Sequence, residues 1–196
     1  RLLRALVRES GLPGLSCDLE LMSRIPHILR DNAFSVRCTL FSDGQSTALT
    51  AVDPGSPDQP SLGLAIDLGT TRYVVQIVDL VSGLLLGRRD RPNPQSRFGP
   101  DILTRIHHAA QENGLWELQN TLIQDMNQTL ENLCREKGVS TQAIHNIALA
   151  GNTAMTHFFL GLEPRWMIRE PYIPVVNSPV LLRAQSLGLK VHPRAR

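Results

Sequence analysis

The sequence predicts a mixed α/β protein in two parts: a small α+β segment, then a domain in which three meander strands lead through two helices to a parallel fourth strand. Three observations predict it. Apolar residues alternate over residues 34–40, and strand-like runs follow at 62–66, 73–80 and 84–88. They recur at helical spacing across residues 101–113 and 115–137. Between the two parts, Pro54 to Ser61 holds three prolines in eight residues and no apolar period.

Taken in order, Leu2, Leu3, Leu6 and Val7 fall at helical spacing, and Gly11-Leu12-Pro13-Gly14 ends that helix. A second short helix fits Asp18 to Ile25, with Asp18 as N-cap and Pro26 stopping or kinking it. Phe34, Val36, Cys38 and Leu40 alternate with Ser35, Arg37 and Thr39, a half-buried strand. Ser42-Asp43-Gly44-Gln45 is a turn, and Thr47 to Val52 returns as the hairpin partner. Beyond the proline-rich connection come Leu62 to Ile66, Tyr73 to Leu80 and Leu84 to Arg88, separated by short turns that favour an antiparallel meander. Ile102, Ile106 and Ala110 mark a helix over Asp101 to Asn113, closed by Gly114. Leu115, Leu118, Leu122, Met126, Leu130 and Leu133 mark a longer one to Lys137, closed by Gly138. Ile144 to Ala150 has the length of a strand; Gly151-Asn152-Thr153 then opens a helix to about Leu160, with Gly161 as C-cap. Prolines 171, 174 and 179 punctuate the rest. The order strand, strand, strand, helix, helix, strand, helix is that of a ribonuclease-H-like half-domain. The expected divisions are 1–53 (small α+β segment with hairpin), 54–61 (linker), 62–170 (ribonuclease-H-like subdomain with a mixed sheet) and 171–196 (Pro-rich start of a further segment).

Composition narrows the chemistry. A chain of 196 residues that is 42% hydrophobic and 19% charged forms a core without metal or disulfide staples. Cys17, Cys38 and Cys134 are odd in number and widely spaced, with no C-x-x-C, which excludes a disulfide framework or a cysteine-held cluster within this segment and fits a reducing, cytoplasmic compartment. Net charge is +2 with no basic face, so no nucleic acid is expected. No apolar run reaches the eighteen or so residues that a membrane helix needs. Lys137 and Lys190 are the only lysines, and neither stands in a G-x-x-x-x-G-K-[ST] loop. The chain starts at Arg1 without methionine and ends without a closing element, and reads as a piece of a longer protein.

The strongest local signal is Ala65-Ile66-Asp67-Leu68-Gly69-Thr70-Thr71, an acid at the end of an apolar strand followed by a glycine and two hydroxyls. Gly69 lets a backbone N–H approach an anion; Thr70 and Thr71 add hydroxyl and N–H donors. Asp67 is suited to hold Mg²⁺ through its water shell or to orient an attacking water. A plain hairpin turn uses the same residue types. Gly151, Asn152 and Thr153 open a helix after a buried strand, where N–H groups and the helix dipole favour an anion; Asn152 or Thr153 as N-cap is the simpler role.

These residues carry a resemblance. Asp67-Leu68-Gly69-Thr70-Thr71, followed by Val78-Asp79-Leu80 and Ser82-Gly83, resembles the first phosphate motif of the superfamily of acetate and sugar kinases, Hsp70 and actin. Asn93-Pro94-Gln95, Phe98-Gly99-x-Asp101, Arg105-Ile106 and Ala150-Gly151-Asn152-Thr153-x-Met155-x-His157 resemble the reductive activators of corrinoid-dependent enzymes, over roughly Leu62 to Pro174. The early hairpin and linker look like that family's middle region. The resemblance implies an actin-like ATPase fold and an activity that couples ATP hydrolysis to Co(II) to Co(I) reduction in a corrinoid protein or corrinoid-dependent methyltransferase. It implies Asp67 as catalytic and Mg²⁺-binding residue, and Gly69, Thr70, Thr71, Gly151, Asn152 and Thr153 as ATP-binding residues. It further implies an electron donor, a [2Fe-2S] domain outside this chain, and leaves a homodimer open. A small-molecule kinase of the same superfamily and a non-catalytic interaction domain are the alternatives.

Other residues carry weaker signals. Arg72, where many relatives have threonine, is placed either to reach a phosphate or carboxylate or to begin a hairpin exposed. Asn93 and Gln95 read as turn formers. His107, His108 and His157 read as surface or packing residues rather than metal ligands, and Trp116, Trp166 and Met167 as core or interface.

Overall fold

The computed structural model describes residues 1–11, 14–44, 46–54 and 60–196, which divide into units at residues 1–59 and 60–196. Both are mixed α/β. The linker expected over 54–61 falls mostly outside the described residues, as do Leu12, Pro13 and Gln45 of two expected turns.

In the first unit, helix α1 (Leu2–Ser10) ends at Gly11 in the left-handed region. A short strand, β1 (Leu15–Cys17), follows, too brief for periodicity to reveal. Helix α2 (Leu19–Asp31) is capped by Asp18, whose carboxylate accepts the Leu21 N–H at 2.7 Å. Pro26 neither stops α2 nor ends its apolar stripe. Leu21 and Ile25 before and at that turn, and Ile28 and Leu29 after it, join one apolar cluster, and their burial outweighs the backbone bond that proline cannot make. Strand β2 (Val36–Ser42) pairs antiparallel with β3 (Thr47–Pro54), and β1 joins β3 in parallel, in the order β1-β3-β2. Phe34, expected within the strand, instead has φ 62° and is exposed in the turn before it.

The second unit is built on strands β4 (Leu62–Leu68), β5 (Arg72–Asp79), β6 (Leu85–Pro92) and β7 (Ile144–Gly151). Their order is β6-β5-β4-β7; the first three form the antiparallel meander, and β7 lies parallel to β4. One sheet face is apolar. Leu62, Leu64, Ile66 and Leu68 of β4 and Tyr73, Val75 and Ile77 of β5 are buried in one cluster with the helices. Helix α3 (Ile102–Ala109) contributes Ile106 and Ala109, and α4 (Gly114–Lys137) contributes Leu118, Leu122, Met126, Leu130 and Leu133. Helix α5 (Thr153–Leu160) adds Met155 and Phe158. At about 1.5–3 kcal/mol per large apolar side chain, this layer dominates the unit's stability. The opposite face, with Asp67, Arg88, Ala148 and Ala150 exposed, is covered by no helix of this unit.

Helix α3 is shorter than the periodicity suggested. It stops at Ala109, and Ala110 is exposed rather than part of the stripe. Its place is taken by Arg105, a fully buried charge that hydrophobic spacing cannot reveal. Gly114 opens α4 rather than closing α3, and the reason is steric: a Cβ there would lie 1.9 Å from the His108 carbonyl oxygen. Trp116 and Trp166 are exposed, not core. Two charged side chains tie the sheet's outer strand to α4: Arg89 pairs with Glu136, and Arg91 with Asp125 at 3.2 Å. The buried Tyr73 phenol donates to Asp125 and lies 3.0 Å from Thr129 Oγ1, so burial and that carboxylate push its pKa up. At the far edge, Arg196 lies along β7: its N–H meets the His145 carbonyl at 3.4 Å and its own carbonyl accepts the Ile147 N–H at 2.7 Å.

The contact at Gly114 makes a test. Gly114→Ala is expected to lower the unfolding free energy by about 1–3 kcal/mol, as overpacking against backbone does. Urea denaturation that leaves the midpoint where it was would show that the α3–α4 junction yields instead.

Candidate functional site

Parallel pairing of β4 with β7 sets Asp67 opposite Ala150 and Leu68 opposite Gly151, so the two glycine-containing turns leave the same end of the sheet side by side. Asn152 caps α5 by accepting the Met155 N–H at 3.0 Å, and its Nδ2 donates to Thr70 Oγ1 at 3.3 Å, joining one turn to the other. Asp67, Gly69, Thr70, Gly151, Asn152 and Thr153 are thereby gathered at one sheet end. Asp67 is exposed, and its carboxylate bonds to no described residue. Asp67 and Ala150 line a depression of about 420 Å³ on the uncovered sheet face. Gly151 and Thr153 line a larger groove of about 550 Å³ that shares Ala150 and runs along residues 176–182.

The turn after β4 owes its shape to close approach. A Cβ on Gly69 would lie 2.6 Å from the Arg72 carbonyl oxygen. Three successive carbonyls of this turn are then tied to buried donors. Gly69 O accepts from Asn93 Nδ2 at 2.9 Å, Thr70 O from Arg105 Nη1 at 2.8 Å, and Thr71 O from the Asn93 N–H at 2.8 Å. Asn93 and Arg105 are fully buried, so these carbonyls point inward. In a planar trans peptide the N–H points opposite to the C=O. The N–H groups of Thr70 and Thr71 therefore point outward, and they donate to no described residue. Outward N–H groups in succession are an anion-binding concavity, and α5 adds its N-terminal dipole beside them.

The braces come from α3, which carries Arg105, and from the segment before it, which holds Asn93 and looked like a simple turn. Asn93 caps the short 3-10 helix Pro94–Phe98 by accepting the Gln95 N–H at 3.0 Å, leaving its Nδ2 for Gly69. Gln95 Nε2 donates to Leu118 O on α4 at 3.0 Å. Asp101 caps α3 in a reciprocal box with Thr104; the Thr104 bonds hold its carboxyl below the ordinary range. Arg105 Nε donates to Gly99 O at 2.8 Å.

The sequence matches the family model described as the RACo middle region over residues 62–196. The chain belongs to the RACo middle-region family. Residues 1–59 match the model of the RACo linker region. Among curated proteins, this RACo chain is similar to the corrinoid activation enzyme RamQ of Eubacterium limosum, 27% identical over 138 residues, or 70% of this chain and 23% of that protein. Among solved structures it is similar to a "Reductive activator for corrinoid,iron-sulfur protein", with a TM-score of 0.90 and 34% identity over 100% of this chain and 31% of that one. It thus spans under a third of either relative's length.

Within this RACo middle region, Arg72 pairs with Asp90 across β5 and β6 at 2.6 Å, so the carboxylate it reaches is its neighbour's. His157 is buried: Nε2 accepts the Val175 N–H at 3.2 Å, leaving Nδ1 to donate to Thr153 O at 2.7 Å. His108 stacks on Phe98 with ring centroids 4.6 Å apart and bonds to Glu117; His107 is exposed. Among the described residues, no three His, Cys, Asp or Glu side chains gather to hold a metal.

Two expectations follow for the braces. Asn93→Ala removes the donor from a buried carbonyl and should cost about 1–3 kcal/mol, with hydrogen exchange rising across residues 68–72; unchanged exchange there would rule out Asn93 as the tie. Asp101 has a folded-state pKa below its ordinary 3.8, so its stabilisation is complete above that value and is lost as pH falls through the lowered one. Asp101→Asn should keep the cap and flatten the acid limb of Tm against pH.

Proposed function

We propose that this chain forms the first wall of the nucleotide site in an ATP-dependent reductive activator of corrinoid proteins. The single observation that supports it most is the inward tying of three turn carbonyls, which turns the Thr70 and Thr71 N–H groups outward beside the N-terminus of α5 and the free Asp67 carboxylate. The ribonuclease-H-like strand order supports the same reading, as do relatives described as a corrinoid activation enzyme and a reductive activator.

The donor set suits a magnesium-bound polyphosphate. The outward Thr70 and Thr71 N–H groups and their hydroxyls would hold phosphate oxygens, and the α5 terminus, with Gly151, Asn152 and Thr153, would face the same charge. A single exposed carboxylate matches magnesium, which keeps most of its waters and takes one or two protein carboxylates beside the phosphates. Asp67 would hold it through water, or accept a proton from an attacking water. When bound, the metal and nucleotide supply charge whose differential affinity for open and closed lobes does the work; moving a state from 1% to 99% takes about 5.5 kcal/mol.

The thiols do not suit an iron–sulfur cluster. Cys17, Cys38 and Cys134 lie on β1, β2 and α4, and burial pushes the Cys134 thiol up to about 11 and raises Cys38, the opposite of a ligating thiolate. A [2Fe-2S] cluster of the kind the resemblance implies would be held outside this chain. Among the described residues, no helix is long and apolar enough to cross a membrane. Three cysteines that form no disulfide suit the reducing cytoplasm.

Asp67→Ala in the intact protein tests this assignment. Loss of ATP-dependent Co(I) formation with an unchanged melting temperature is expected. Co(I) appearing at the wild-type rate would remove Asp67 from the mechanism.

A further inference from the structure

Arg105 is among the largest fully buried side chains of the protein. Its guanidinium makes two bonds to neutral carbonyls, Gly99 O from Nε and Thr70 O from Nη1, each at 2.8 Å, with Met155 Sδ 3.8 Å from Nη1. Nη2 bonds to no described residue. No carboxylate among the described residues forms an ion pair with it, and Asp101, the acid whose charge reaches it through space, is occupied in capping α3. Burial lowers its pKa, yet an arginine stays charged at neutral pH.

Burying an unpaired charge is costly, and a neutral amide would serve to hold one carbonyl, as Asn93 does for Gly69 one residue earlier. Arginine adds a second prong, to Gly99 O, and a charge. Of the other cations near this turn, Arg72 is neutralised by Asp90 and Arg88 stands exposed to solvent on the open sheet face beside Asp67, where its charge is screened; the only lysines are Lys137 and Lys190, outside the turn. From these observations we infer that Arg105 is a positioning residue that both aims the Thr71 N–H outward and electrostatically favours polyphosphate from beneath the turn, standing in for the lysine of other phosphate loops. The inference rests on the nucleotide reading of the site. Because the charge acts through a poorly screened interior rather than by contact, its effect grows with the charge of the ligand.

The test uses the full-length protein and four ligands of increasing phosphate charge: adenosine, AMP, ADP and ATP with magnesium, measured by competition. Arg105→Met is expected to weaken ATP about tenfold or more, ADP less, and adenosine not at all. Arg105→Lys keeps the charge but not the two-pronged grip, and should weaken ATP less than Arg105→Met while keeping the ordering of the ligands. Equal losses for all four ligands, or a lysine variant no better than the methionine one, would reduce Arg105 to a structural brace and overturn the inference. In the wild type, the Arg105 Nε–H resonance should move on addition of Mg-ATP and stay in place with adenosine; an unmoved resonance at saturating ATP overturns it too, even where the methionine variant does not fold. Wild-type protein that binds no Mg-ATP defeats the nucleotide reading itself, a result distinct from any of these.

Discussion

The site depends on where three backbone carbonyls point. A glycine-containing turn between antiparallel strands is common and by itself recognises nothing. Here, Asn93 and Arg105 fasten the carbonyls of Gly69, Thr70 and Thr71 on the inner side, and peptide planarity then fixes the outer side. Both braces sit on the segment after β6, and that segment is held in turn by Gln95 on α4 and by the Asp101 cap of α3. The turn is therefore shaped by tertiary structure, and its preorganisation is inherited from the packing of two helices on the sheet.

Parallel pairing provides the second constraint. Because β7 runs alongside β4 in the same direction, the chain leaves both strands at one end, and a helix start is delivered beside the turn. An antiparallel β7 would have put Gly151 to Thr153 at the opposite end of the sheet. The Asn152 to Thr70 bond is the direct link between these two segments.

Much of this was legible from residue spacing. The meander, the long α4 stripe and the strand before Asn152 follow from period, and Asp67, Gly69 and Thr70 stand out by residue type. What spacing could not show was the brace. Arg105 occupies an inward position of α3, where an apolar residue is the ordinary reading, and only the carbonyls of the neighbouring Gly99 and the distant Thr70 make an arginine acceptable there. Asn93 looked like a turn former because it is one; its second role needs Gly69, which lies 24 positions earlier. Local signals also misjudged α2, where packing of Ile28 and Leu29 overrode Pro26, and α3, where the close approach at Gly114 forced an early end. In each case packing outweighed a local preference.

The outermost strand of the second sheet has a different consequence. An unpaired sheet edge invites a foreign chain to lengthen the sheet, but β6 presents Arg88, Arg89, Asp90 and Arg91 and finishes in Pro92, while Arg89 and Arg91 are drawn toward α4. Charge and proline along such a border discourage fibril-like stacking. This flank is thereby kept from templating a further strand.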